Sequence, residues 1–66
     1  MSAMSDADLP EIGAPATRAL AAIGVTRLEQ VAERREAELL ALHGLGPRAL
    51  RILNEALAAR GQTLRP

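Results

Sequence analysis

Apolar residues recur at intervals of three and four along most of this chain, which is the spacing of one face of an α-helix. The first such stretch covers residues 15–22, and Gly24 follows as a residue that can end a helix. Pro15 is compatible with this helix only in its first turn. The apolar face of the predicted helix consists of Ala16, Ala19, Leu20 and Ile23.

A second helix is predicted to begin at Thr26. The tetrapeptide Thr26-Arg27-Leu28-Glu29 has the form of a capping box, in which the threonine hydroxyl and the glutamate carboxylate accept hydrogen bonds from free backbone amides. A third, short helix is predicted over residues 36–42. We expect the second helix to bury Leu28, Val31 and Ala32, and the third to bury Leu39, Leu40 and Leu42.

The last helix is predicted over residues 47–60, where Gly61 ends it. Its apolar face consists of Ala49, Leu50, Ile52, Leu53, Ala56 and Leu57. Residues 9–64 are therefore predicted to form one compact all-α domain of four to five helices. Residues 1–8 are predicted to be a disordered lead-in.

The chain also contains an internal repeat. Ile12-Gly13 followed by Ala16, Ala19 and Leu20 matches Leu45-Gly46 followed by Ala49, Ile52 and Leu53 at the same offsets. This match indicates two hairpin-and-helix units related by a rough two-fold axis. A chance match between alanine-rich helices is the alternative.

The composition excludes several classes of site. The 66 residues include no Phe, Tyr, Trp or Cys, so disulfides and thiolate metal sites are excluded, which suits a cytoplasmic protein. The apolar runs are too short to cross a membrane, and the N-terminus lacks the regions of a secretory signal. No nucleophile–base pair, Walker-type phosphate loop or metal-ligating cluster is present, so we predict no enzymatic activity, no cofactor and no metal.

The net charge is zero, but the charges are unevenly distributed. Residues 1–42 carry four arginines against seven acidic residues, a net charge of −3, whereas residues 43–66 carry four arginines against one glutamate, a net charge of +3. All eight cations are arginines, whose planar guanidinium suits bidentate contacts with phosphate. One end of the molecule is therefore predicted to be basic.

The segment His43-Gly44-Leu45-Gly46-Pro47-Arg48, between the last two predicted helices, is the most informative motif. Its first glycine can adopt a positive φ, its second can cap a helix, and its proline suits the first helical position. Such a turn leaves the amides of a helix N-terminus open to a phosphate oxygen, with Arg48 and Arg51 beside it. A surface turn that binds no ligand is the alternative.

Residues 44–49 resemble the hairpin of helix-hairpin-helix domains, in which a glycine, a hydrophobic residue and a second glycine precede a small residue. Over residues 9–64 the chain is similar to the C-terminal domain of the bacterial RNA polymerase α subunit, a SAM-like helical fold. The matching stretches are Glu38-Leu39-Leu40, Leu45-Gly46, and Leu57-Ala58-Ala59-Arg60-Gly61 followed by Leu64. The resemblance implies a free-standing relative that binds the minor groove and phosphates of DNA and that contacts transcription factors.

The residues that carry this function in the family are only partly retained. The family's hairpin glycine corresponds to Gly46, and its basic residue two positions later corresponds to Arg48. The following serine of the family is Ala49 here. The arginine that enters the minor groove corresponds to Pro15, and a nearby asparagine corresponds to Arg18. The resemblance therefore implies the fold and the phosphate contacts, but not the reading of promoter sequence.

Two functions are consistent with these features. The first is a DNA-binding module without strong sequence preference, in a bacterial cytoplasmic protein related to transcription. In this interpretation one strand contacts Gly44, Gly46, Arg48 and Arg51, and the opposing strand contacts Gly13, Thr17 and Arg18. The second is a protein-interaction module of the same fold, which the zero net charge and Pro15 favour. In either case we expect a monomer or a weak homodimer.

Overall fold

The computed structural model describes residues 9–66, and the predicted lead-in over residues 1–8 lies outside the described residues. The described part of the chain contains four α-helices and no strand. The helices are α1 (Ala14–Ala22), α2 (Leu28–Val31), α3 (Glu36–Leu40) and α4 (Pro47–Ala58). The predicted all-α architecture is confirmed, and the helix boundaries differ from the predicted ones by one or two residues.

The predicted capping box at the start of α2 is wrong. The helix begins at Leu28, and Oε1 of Gln30 accepts hydrogen bonds from the backbone amides of Thr26 and Arg27, at 2.8 and 3.0 Å. Glu29 instead forms an ion pair with Arg27, with 3.4 Å between nitrogen and oxygen. Because the helix starts later than predicted, Gln30 occupies the third helical position that a capping box requires.

The turns that follow α1 and α4 contain the predicted glycines, Gly24 and Gly61. In both cases the amide of the residue after the glycine donates to a carbonyl in the last helical turn. Val25 donates to Leu20 and Gln62 donates to Leu57, both at 2.9 Å, as in a Schellman motif. Each turn directs the chain back to the core, where Val25 and Leu64 are buried.

The core consists only of aliphatic side chains. The largest fully buried ones are Leu20, Val25, Val31, Leu39, Leu53 and Leu57. Helix α4 is central because it packs against both α2 and α3. Its predicted apolar face is confirmed, since Ala49, Leu50, Leu53 and Leu57 are buried and Ile52 and Ala56 are partly buried.

Leu40 was predicted to be buried, and this prediction is wrong, because the residue is 50% exposed. Consecutive residues of a helix point about 100° apart. When Leu39 faces the core, Leu40 therefore points to the side of α3, towards the groove that it lines with α4. Helix α3 has only five residues, so no other element covers both directions.

Arg34, in the connection between α2 and α3, links three other parts of the chain. Its guanidinium donates to the carbonyl of Ile23 at the end of α1, at 2.8 Å, and to Oε2 of Glu38 in α3, at 3.0 Å. Its own carbonyl accepts a hydrogen bond from the amide of Arg65, at 3.0 Å. A cation at a helix C-terminus satisfies a free carbonyl and compensates for the helix dipole.

The turn before α4 packs directly against the start of α1. Gly44 has a φ of +99°, and a Cβ at this position would lie 3.1 Å from the carbonyl oxygen of Pro15. Residues other than glycine rarely adopt this φ, and a Cβ would force the two backbone segments apart. Gly44 therefore permits the close approach that brings the N-termini of α1 and α4 together.

We expect the fold to lose stability when Glu38 is protonated. The backbone amide of Arg35, at 3.2 Å from Oε1, and the guanidinium of Arg34 lower the pKa of Glu38 from its ordinary value of 4.5. Because the pKa is lower in the folded state, this stabilisation is fully present above pH 4.5 and is lost as the pH falls through the folded-state pKa. Circular dichroism during urea unfolding, at neutral and at acidic pH, measures the loss.

The Glu38→Gln variant should lose less stability between neutral and acidic pH than the wild type loses. Glu33→Gln is the matched control, because Glu33 is an exposed glutamate in the connection between α2 and α3. This variant should behave like the wild type. An equal loss in Glu38→Gln and in the wild type would contradict the assignment.

Substitution of Gly44 should destabilise the protein more than substitution of Gly46. In Gly44→Ala the alanine would have to adopt a positive φ, and its Cβ would press against the carbonyl oxygen of Pro15. We therefore expect a loss of about 1–3 kcal/mol in the free energy of unfolding. Gly46 has a φ of −90°, and no atom lies within 4 Å of a Cβ at this position. Gly46→Ser should therefore change the stability by at most a few tenths of a kcal/mol. Equal losses in urea unfolding would refute the argument.

Candidate nucleic-acid interface

A cleft of about 430 Å³ lies where the N-termini of α1 and α4 meet, and we call it the N-terminal cleft. It is lined by Glu11, Ile12, Gly13, Pro15, Ala16, Gly44, Gly46, Arg48, Ala49 and Ile52. Both units of the internal repeat thus contribute to one concave surface.

Corresponding positions of the two repeat units have similar environments. Ala16 and Ala49 are both buried beneath the cleft, and Leu20 and Leu53 are both fully buried in the core. The glycines of the repeat, Gly13 and Gly46, occupy the N-cap positions of α1 and α4. The sequence repeat therefore has a structural counterpart.

The four helices begin in two different ways. At the start of α2 and α3 a side-chain oxygen, of Gln30 or Glu38, accepts a hydrogen bond from the N-cap amide, and each helix has an acidic residue in its first turn. Helices α1 and α4 begin at glycines instead. Within the described residues neither has a side-chain cap or an acidic residue in its first turn.

Backbone donors at the start of α1 and α4 face the N-terminal cleft. The first hydrogen bond within α1 is donated by Thr17 to Gly13, at 3.0 Å, and the first within α4 is donated by Leu50 to Gly46, at 3.1 Å. The free donors are therefore the amides of Ala14 and Ala16 in α1 and of Arg48 and Ala49 in α4, since a proline occupies the first turn of each helix. Together with the positive end of each helix dipole, these amides favour an anion.

The cleft lining contains one cation and one anion, Arg48 and Glu11, and both side chains are exposed. Arg48 lies in the first turn of α4, where the helix dipole disfavours a positive charge. An anion bound at this N-terminus would offset that cost, whereas Glu11 would repel it. The side chains of the cleft therefore carry no net charge, and attraction for an anion depends on the amides and on Arg48.

The structure brings together four of the seven residues predicted to contact DNA. Gly13, Gly44, Gly46 and Arg48 line the N-terminal cleft, whereas Thr17 and Arg18 are exposed elsewhere on α1. Arg51 lies in a different groove, between α3 and α4. Residues three positions apart on a helix differ by about 60° in direction, which is enough to separate Arg51 from Arg48.

Sequence reasoning missed Glu11 as a residue of the cleft. The internal repeat contained the necessary signal, because Glu11 precedes Ile12-Gly13 as Gly44 precedes Leu45-Gly46. The two residues correspond in the repeat, and both line the cleft. His43, adjacent to Gly44, is exposed and outside the cleft lining.

The described residues offer neither a metal site nor a membrane-spanning helix. Residues 9–66 contain no group of three or more potential metal ligands, and none of their helices has the length and apolar character needed to cross a membrane. Comparison of the chain with protein families, with curated proteins and with solved structures finds no match. The interpretation of the N-terminal cleft therefore depends on its own residues.

Proposed function

We propose that this protein is a SAM-like helix-hairpin-helix module that binds the phosphate backbone of DNA without catalysing a reaction. The observation that carries the proposal is the meeting of two glycine-capped helix N-termini at one cleft. Backbone amides at helix N-termini bind phosphate oxygens in many proteins. The resemblance of residues 9–64 to the C-terminal domain of the RNA polymerase α subunit supports the further proposal that this module acts in bacterial, cytoplasmic transcription.

Each part of the cleft has a distinct role in this mechanism. In α1 the phosphate oxygens accept hydrogen bonds from the amides of Ala14 and Ala16, and in α4 from those of Arg48 and Ala49. Pro15 and Pro47 have no amide hydrogen to donate. Gly13 and Gly46 add no side chain that would fill the space. Arg48 supplies the positive charge and a planar set of donors for a second oxygen or the next phosphate. Contacts of this kind position the protein on DNA without reading its sequence.

The geometry favours contact with one DNA strand rather than two. Gly13 and Gly46 were predicted to contact opposite strands, but both line a single cleft of about 430 Å³. We therefore propose that both N-termini bind a short stretch of one strand, and that Thr17 and Arg18 extend this contact along α1.

Binding by one copy should be weak and sensitive to salt. The chain has no net charge, and Glu11 lies in the cleft beside Arg48. Neutralisation of about two phosphates gives a slope of roughly −2 when the logarithm of the binding constant is plotted against that of the salt concentration.

A protein-interaction module of the same fold is the second candidate. The observation that favours it is the 50% exposure of Leu40, in the groove between α3 and α4. This groove is separate from the N-terminal cleft, so the two functions do not exclude each other.

We expect Arg48→Glu and Gly46→Asp each to weaken DNA binding by at least about tenfold. Arg48→Glu replaces the cation of the cleft with an anion. Gly46→Asp places a carboxylate at the N-cap, where it accepts the hydrogen bonds of the same amides without destabilising the helix. Chemical shifts of backbone amides during titration with a short duplex at low salt measure the binding, because the chain lacks Trp and Tyr.

Two further variants serve as controls. Arg60→Glu makes the same charge change just beyond the C-terminus of α4, roughly 18 Å from Arg48, and should retain the affinity of the wild type within a factor of about three. Glu11→Gln removes the repelling carboxylate and should increase the affinity by up to about fivefold. Absence of shifts at low salt with excess DNA, or an equal loss of affinity in Arg60→Glu, would exclude the N-terminal cleft as a DNA site.

A further inference from the structure

The groove between α3 and α4, which we call the α3/α4 groove, has a volume of about 450 Å³ and is not part of the N-terminal cleft. Its apolar surface includes Leu40, Pro47 and Ala58, and its charged rim consists of Glu36, Arg51 and Glu55. Leu40 is the one large hydrophobic side chain that is exposed in the described part of the chain. The proposed DNA-binding mechanism makes no use of this leucine.

We propose that the α3/α4 groove is the contact surface between two copies of this chain, related by a two-fold axis. Both signs of charge are present around the exposed leucine. In a two-fold contact every pair between copies occurs twice. In the proposed arrangement Arg51 on α4 of one copy meets Glu36 on α3 of the other, and the reciprocal pair forms on the opposite side of the axis.

The lining of the groove carries two glutamates and one arginine, so each arginine of a two-fold contact can meet a glutamate of the other copy. Among the described residues Arg51 and Glu36 take part in no ion pair, whereas Arg34 pairs with Glu38 and Arg27 with Glu29. Their charges are thus free to pair across an interface. The chain as a whole is neutral, so two copies do not repel each other at a distance.

The size of the surface indicates a weak contact. A stable interface buries about 800 Å² on each partner, which is nearly a fifth of the 4331 Å² that this chain exposes. Eight residues line the α3/α4 groove, whereas a standard interface involves about 20–30 residues on each partner. We therefore expect a dissociation constant on the order of 0.1–1 mM.

Such a dimer would place two DNA sites in one particle. Pro47 lines the α3/α4 groove, and the preceding residue, Gly46, lines the N-terminal cleft. The clefts of the two copies would therefore flank the interface. The dimer itself does not depend on the proposed DNA binding and is tested without DNA.

Sedimentation equilibrium with interference optics tests the proposal on the whole chain, from about 50 µM to about 2 mM, a range that brackets the expected dissociation constant. The average mass of the wild type should rise from 7.0 kDa towards twice that value. Leu40→Asp should stay monomeric, with a circular dichroism spectrum like that of the wild type. A wild type that stays monomeric, or a Leu40→Asp variant that associates like the wild type, overturns the proposal.

Charge reversal tests the two-fold pairing directly. Arg51→Glu and Glu36→Arg should each weaken the dimer by at least about fivefold when studied alone, because each creates two like-charged pairs. An equimolar mixture should dimerise again, since the mixed pair restores opposite charges at both positions. Restoration in the mixture cannot result from misfolding of either variant. A mixture that remains monomeric refutes the proposed arrangement.

The Gly46→Asp variant distinguishes dimerisation through the α3/α4 groove from DNA binding at the N-terminal cleft. It should lose DNA binding and dimerise as the wild type does. Leu40→Asp should show the reverse, with DNA binding by the monomer and no dimer. Loss of both properties in Leu40→Asp would contradict the assignment of the two surfaces to separate roles.

Discussion

The contact between Gly44 and the backbone of Pro15 determines how the rest of this structure is arranged. Because no side chain separates them, α1 and the turn before α4 approach to van der Waals distance. Leu53 and Leu57 of α4 and Leu20 of α1 are then all fully buried in one core. The N-terminal cleft is the space that remains where the two helices begin. The absence of a side chain at Gly44 thus permits the close approach of α1 and the turn before α4, and this approach forms the N-terminal cleft.

The different beginnings of the helices have a common physical explanation. Helices α2 and α3 have four and five residues, which is too short for a helix to be stable without caps and tertiary contacts. Gln30 and Glu38 supply those caps. Helix α4 has twelve residues and a continuous buried face, so it tolerates an N-terminus without a side-chain cap. Free backbone donors therefore occur at helices that packing already stabilises.

Much of this arrangement could be predicted from the sequence, because it depends on local properties. The turn glycines, the prolines in the first helical turns and the apolar face of α4 follow from backbone preferences and periodicity. The exposure of Leu40 could not be predicted, because it depends on where a five-residue helix lies against α4. The separation of Arg51 from Arg48 likewise depends on which elements flank α4. Glu11 belongs to the cleft only because α1 and α4 begin side by side, although the repeat contained a signal for it.

The interactions at Arg34 have a consequence for how the chain acquires its structure during synthesis. Arg34 holds the end of α1 through Ile23, and its carbonyl binds the amide of Arg65, next to the buried Leu64. The core therefore cannot close until the segment around residue 64 has left the ribosome. A chain halted earlier would expose the aliphatic surface that Leu64 covers, and it would be open to proteases and chaperones. The contacts at Arg34 thus make closure of the core over residues 9–66 depend on prior synthesis of residues 64 and 65.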